Sequence, residues 1–214
     1  MSMEYTPLRI YGTKRNSDEY ISFEAEPDEL KYDYDKYSKY VKKIEFAVRE
    51  DDRYKDYIAK LKQGGLTKCA ILGNLPVEDP KIKIEMHHGP IYSLFDYCDI
   101  VLKACIRRGM QDITTMKIAD YVLTEHENDH IMIVMLSNAV HMGGVHNRKA
   151  KKNVFIDIAA TFGRIDKFLD AWGDGMEDEH YEYIQLYIKE CRNAEGKTLD
   201  QGLFDVAEKL ASFK

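Results

Sequence analysis

Histidine is the residue in this chain whose placement could do chemistry. Six of the seven, His87, His88, His126, His130, His141 and His146, fall within residues 87–146, and only His180 lies outside. Imidazole titrates near neutral pH and binds divalent metals, so such a cluster suits general acid–base work or a metal centre. Two of the six are adjacent, in Glu85-Met86-His87-His88-Gly89-Pro90. Neighbours on a strand point to opposite faces, so one imidazole of such a pair can hold a metal while the other meets water and substrate.

The elements that must position these side chains can be read from spacing. The run 81–88, "KIKIEMHH", alternates with Ile82, Ile84 and Met86 on one face, and "CAILGNLP" (69–76) precedes it; both read as strands, and Gly89-Pro90 closes the second. Residues 93–109 read as a helix with Ser93 as cap, Asp96 three positions on and Gly109 at its end, and 114–128 as a second helix. The continuous apolar run 130–136 suits a buried strand, and "SNAVHMGGVHN" (137–147) starts a short helix carrying two more histidines. Upstream, the second half of 32–50 and residues 51–65 have helical spacing, with Asp51 or Asp52 as cap and Gly64-Gly65 as stop. Downstream, 154–175 reads as a short strand and a helix bearing Phe168, Leu169 and Trp172, and 177–193 and 198–213 as amphipathic helices.

Composition bounds the reading. A chain of 214 residues, 44% hydrophobic and 32% charged, can bury a real core. No apolar run approaches the roughly 20 residues of a membrane span, and the N-terminal stretch lacks a signal-peptide core, so a soluble, cytoplasmic protein without membrane partners is expected. The cysteines, Cys69, Cys98, Cys105 and Cys191, form no C-x-x-C pair and read as reduced, mostly buried thiols. The net charge of −6 supplies no global attraction to nucleic acid, which leaves local basic runs such as 60–68 and "NRKAKK" (147–152) to make phosphate contacts, or simply to be solvated surface.

A strand ending in His-His, a later strand and a helix bearing histidine form the order of a ββα-metal site. The segments "HHGPIYSLFDYCDIV" and "IVMLSNAVHMGGVHN" resemble the HNH-like endonucleases, particularly those of bacteriophages, over roughly residues 45–172. The resemblance implies an α+β fold with a ββα-metal core at 67–172, a helical insertion at 93–128, an N-terminal region at 1–66 packed on the core and C-terminal helices at 173–214. It implies a DNA endonuclease using one divalent ion (Mg, Mn, Zn or Ni), with His88 as general base and His87, His141 and His146 as metal ligands. Arg148, Lys149, Lys151 and Lys152 are the expected phosphate contacts, and a partner protein could supply specificity; a phage-encoded enzyme would work in the host cytoplasm.

Three departures from the family pattern matter. His141 and His146 are separated by five positions rather than four, with Gly143-Gly144 between them. The bracing Asn of the family falls at Met132, so His126, Asn128 or His130 would have to substitute, His126 and Asn128 foremost; an exposed helix-end histidine and a C-cap asparagine are the alternatives for these two. The cysteines of a structural zinc are absent, with Ser137 and Val140 in their places. These departures are what a catalytically inactive, protein-binding phage regulator or counter-defence factor would carry, and hydrolysis of another phosphoester is a third reading.

Overall fold

The computed structural model describes Leu30 and residues 33–71, 83–110, 113–138 and 160–193. Helix α1, Tyr34–Glu50, starts where the Asp33 carboxylate accepts the Lys36 N–H at 2.9 Å, and buries Tyr40, Val41, Ile44 and Val48 along one stripe. Asp51 adopts an extended conformation that ends α1, and its side chain accepts from the Arg53 N–H to start α2, Asp52–Gln63. Of the two aspartates at this junction, Asp51 is therefore the cap. Helix α2 stops at Gly64-Gly65, the second with φ +102°.

Helix α3, Leu94–Arg107, lies at the centre. Ser93 and Asp96 form a full capping box, and Leu94, Tyr97, Cys98, Ile100, Val101, Leu102, Ala104 and Cys105 are all buried. A helix apolar around most of its circumference is a core helix, and α1, α4 and α5 pack against it. Cys98 and Cys105 are buried free thiols, as is Cys69. Helix α4, Thr115–Glu127, is capped by Thr114 and crosses α1 and α2, where Arg53 reaches Asp120, Thr124 and Glu127. Helix α5, Ile165–Trp172, buries Ile165, Phe168, Leu169 and Trp172; a 3-10 turn at Gly173–Gly175 leads to α6, Asp178–Asn193.

Three positions fix how α3 meets the turn after α5. A Cβ on Gly175 would lie 1.9 Å from the Ile100 carbonyl oxygen, so only glycine allows this approach. Arg107 donates to the Met176 carbonyl at 2.8 Å, and Arg108 pairs with Asp174 while stacking its guanidinium 4.8 Å from the Trp172 ring centre.

Strands β1, Ile84–His88, and β2, Ile133–Ser137, pair antiparallel with His88 opposite Ile133 and Ile84 opposite Ser137. Every residue of β2 is buried, because its alternating side chains serve two clusters: Ile133 and Met135 join the main core, while Val134 and Leu136 pack with Cys69, Ala70 and Ile84. The far edge of β2 is also engaged, Ile133 exchanging two bonds with Phe162 and Met135 accepting from the Ala70 N–H. Residues 69–71 thus contribute one contact to the sheet, while 72–82, the expected helix at 137–147 beyond Asn138, the expected strand near 154 and the helix at 198–213 lie outside the described residues.

One buried polar network was not anticipated. Asp99, only 6% exposed on α3, accepts from His180 Nε2 at 3.1 Å, from Lys103 Nζ at 2.9 Å and from the Tyr37 hydroxyl. His180 in turn accepts the Glu177 N–H on Nδ1, so its remaining ring proton sits on Nε2 facing Asp99. Burial alone would raise the Asp99 pKa, but these donors outweigh it and hold the carboxyl below its usual value. The network ties α1, α3 and the start of α6 together.

Candidate functional site

The strand β1 delivers the paired histidines to different surroundings. His88 shares its face with Ile84 and Met86, whereas His87 lies beside Glu85, its Nε2 3.9 Å from the carboxylate. His88 Nε2 sits 2.9 Å from Nε2 of His126, which is fully buried near the end of α4. The His126 Nδ1 is 2.8 Å from the Val122 carbonyl oxygen. A carbonyl can only accept, so the hydrogen-bond network assigns the His126 proton to Nδ1 and leaves a lone pair on Nε2; His88 must then donate its own Nε2–H. Both rings are neutral in this arrangement.

Aromatic rings enclose the pair. Tyr54 stacks on His88 at 6.1 Å and meets His126 edge-on at 5.4 Å; Tyr57 approaches His126 at 5.6 Å and Tyr97 approaches His88 at 6.2 Å. Removal from water pulls the His126 pKa down to about 4, and burial followed by the neighbouring His126 lowers that of His88. The same desolvation pushes Tyr54 up to about 12 and raises Tyr57, with the nearby Asp129 carboxylate raising it further.

Met132, at the position of the bracing Asn, supports this corner with its backbone. Its carbonyl accepts the Gly89 N–H at 3.2 Å and its N–H donates to the Tyr97 hydroxyl at 3.1 Å. The turn after His88 is thereby tied to β2 without a polar side chain.

Of the other expected site residues, Asn128 is the exposed C-cap of α4, giving its N–H to Thr124 and His126 carbonyls. His130 pairs with Glu125 at 2.6 Å. His141, His146, Arg148, Lys149, Lys151 and Lys152 lie outside the described residues. Among the described residues no three His, Cys, Asp or Glu side chains converge as a metal ion requires. His88, the expected general base, spends its Nε2 on another imidazole, and of the expected ligands His87, His141 and His146 the described residues include His87 alone.

A groove of about 710 Å³ opens beside β1. Every residue from Lys83 to His88 lines it, with Arg49 from α1, Tyr54, Ile58 and Lys62 from α2, and Leu94 at the start of α3. Its lining is mostly apolar, and its charged members among the described residues are Arg49, Lys62, Lys83 and Glu85.

These observations define a helix-rich protein with a small antiparallel sheet, a bonded His88–His126 pair ringed by tyrosines, and an open groove along one strand. The chain belongs to the bacteriophage G278-like virion protein family, whose model matches residues 11–212. No curated protein and no solved structure matches it. Phage origin accords with the bacteriophage side of the resemblance drawn from the histidine motifs. The enzyme expectation is corrected: the matched family is one of virion proteins, which points away from an endonuclease, and nothing in the match supports nuclease, metal-binding or DNA-binding character. No described helix is long and apolar enough to cross a membrane.

Helical spacing marks Tyr54 and Tyr57 as core residues, but neither their convergence with Tyr97 on the histidines nor the Asp99–His180 pair is signalled by it. One signal was present for Asp99, a carboxylate set among Tyr97, Cys98, Ile100 and Val101 on an otherwise apolar stretch.

Proposed function

We propose that this chain is a non-enzymatic component of the phage particle that works by binding another protein. The family match carries the reading, since it spans residues 11–212 and describes a virion protein. The site geometry supports it: the imidazoles that would do catalysis are neutral, bonded to each other and walled in by tyrosines. What faces solvent beside them is a groove with a mostly apolar lining that includes Arg49, Lys62 and Lys83, a surface for recognition. In this reading the proposed ββα frame around β1 and β2 is a scaffold, and the protein passes from the host cytoplasm into particles during assembly.

The test is particle composition. Density-purified phage, analysed by quantitative mass spectrometry, is expected to hold this chain at a fixed copy number that survives a high-salt wash. Its absence from purified particles, with abundant protein in the infected-cell lysate, overturns the proposal.

A further inference from the structure

The free edge of β1 is a second feature of the groove. The Gly89 N–H bonds to the Met132 carbonyl and the Asn138 N–H to the Lys83 carbonyl, which with the register sets residues 83, 85, 87 and 89 as those whose backbone groups face β2. The backbone N–H and C=O groups of Ile84 and Met86, and of His88 at the strand end, therefore point the other way. They have no hydrogen-bond partner among the described residues. That all six residues from 83 to 88, from both faces of the strand, line one groove has the same explanation: the groove runs along this edge.

Exposed strand edges are ordinarily guarded, and β1 is short, with Lys83 at its start, as guarded edges are. Here the walls change what the edge can do. Residues of α1 and α2 line the same groove, whose volume of about 710 Å³ is room for a short segment beside the strand. The strand of five residues offers about 17 Å of edge.

We propose that the β1 edge receives an extended acidic segment of a partner protein, which adds to the sheet as a third strand. Backbone bonds to Ile84, Met86 and His88 supply register-independent affinity, and side chains on one face of the segment settle on Ile58, Ile84, Met86 and Leu94. Arg49, Lys62 and Lys83 meet carboxylates on the other; Arg49 also bonds Glu45 at 2.8 Å, which leaves Lys62 and Lys83 the stronger selectors. An apolar lining interrupted by the carboxylate of Glu85 favours a peptide over a nucleic acid, whose continuous phosphates need an unbroken basic track. The inference rests on the protein-binding reading above and names its site and the chemistry of its partner.

The probe is a capped octapeptide alternating valine and glutamate, titrated by fluorescence anisotropy into the full-length protein, with amide exchange followed by NMR. Binding is expected with new protection of the Met86 and His88 amides; Lys62→Glu/Lys83→Glu is expected to weaken it at least tenfold. A peptide N-methylated at alternate residues, and a valine–lysine peptide, are expected to bind at least tenfold more weakly than the parent. The proposal is overturned if the parent peptide does not bind, if the N-methylated peptide binds equally, or if an oligothymidine binds where the peptide fails. It is overturned as well if the Met86 amide of the free protein is already as slow to exchange as the ladder amides of Glu85 and His87. Particle composition is independent of these results, so loss of this site leaves virion membership standing, and absence from particles leaves the edge measurable.

Discussion

Acidification should unfold this protein through its buried imidazoles before its carboxylates matter. His126 titrates at about 4 in the fold against an ordinary 6.5. Between those values the unfolded chain binds a proton that the folded chain refuses, so stability is complete above pH 6.5 and falls as pH drops towards 4. At about 1.4 kcal/mol per unit the loss is on the order of 3 kcal/mol, and His88, shifted in the same direction, adds to it. Glu127, held low chiefly by Arg53, Asp166, held low by Arg164, and Asp99 are all depressed, so their contributions fade only as pH falls through and below the ordinary carboxylate values, at the bottom of this window and beyond it. Urea unfolding followed by circular dichroism at pH 7, 5.5 and 4 measures the slope. In His126→Phe, which keeps a ring among the tyrosines and removes the titrating nitrogens, the slope should be markedly shallower whatever the absolute stability. A wild-type change below about 1 kcal/mol across the window, or an identical slope in the variant, would refute the argument.

Other substitutions test the frame. Asp99→Ala strands His180, Lys103 and Tyr37 without their acceptor and should cost about 3–5 kcal/mol in urea titration, whereas Lys103→Met, which leaves the two buried donors in place, should cost less. Gly175→Ala places a methyl against the Ile100 carbonyl and should lower the melting temperature sharply by calorimetry, while Gly173→Ala, where nothing lies within 4 Å, should not. Thr114→Ala removes the α4 cap and should cost about 1 kcal/mol. Folded protein incubated with plasmid and Mg²⁺, Mn²⁺ or Ni²⁺ should leave the supercoiled band intact on a gel.

The helices were legible because their signals are local. Ser93 with Asp96, Thr114, and Asp51 announce α3, α4 and α2 within a single turn of chain, and the unbroken apolar run after His130 announces β2. The histidine pair was legible as unusual, and its division between two faces of a strand is present. What sequence could not display is that Tyr54 and Tyr57 from α2 and Tyr97 from α3 converge on His88 and His126, enclosing the two imidazoles in aromatic rings. Short motifs such as His-His carry no record of solvent exposure, and exposure decides whether an imidazole is chemistry or packing. Asp99 and His180 meet from α3 and α6, far apart in sequence and beyond the reach of any periodicity.

The position of β2 has a kinetic consequence. Its three sets of partners, β1, Ala70 and Phe162, come from stretches both before and after it in sequence, so no part of its burial is obtained by local folding. Helices α3 and α4 can form as the chain leaves the ribosome, but β2 must wait for Phe162 to emerge before both edges close. During that interval the apolar β2 segment has an open ladder, and neighbouring unfinished chains compete for it when synthesis is fast. Yield of folded protein should therefore depend on expression rate more steeply than its final stability suggests.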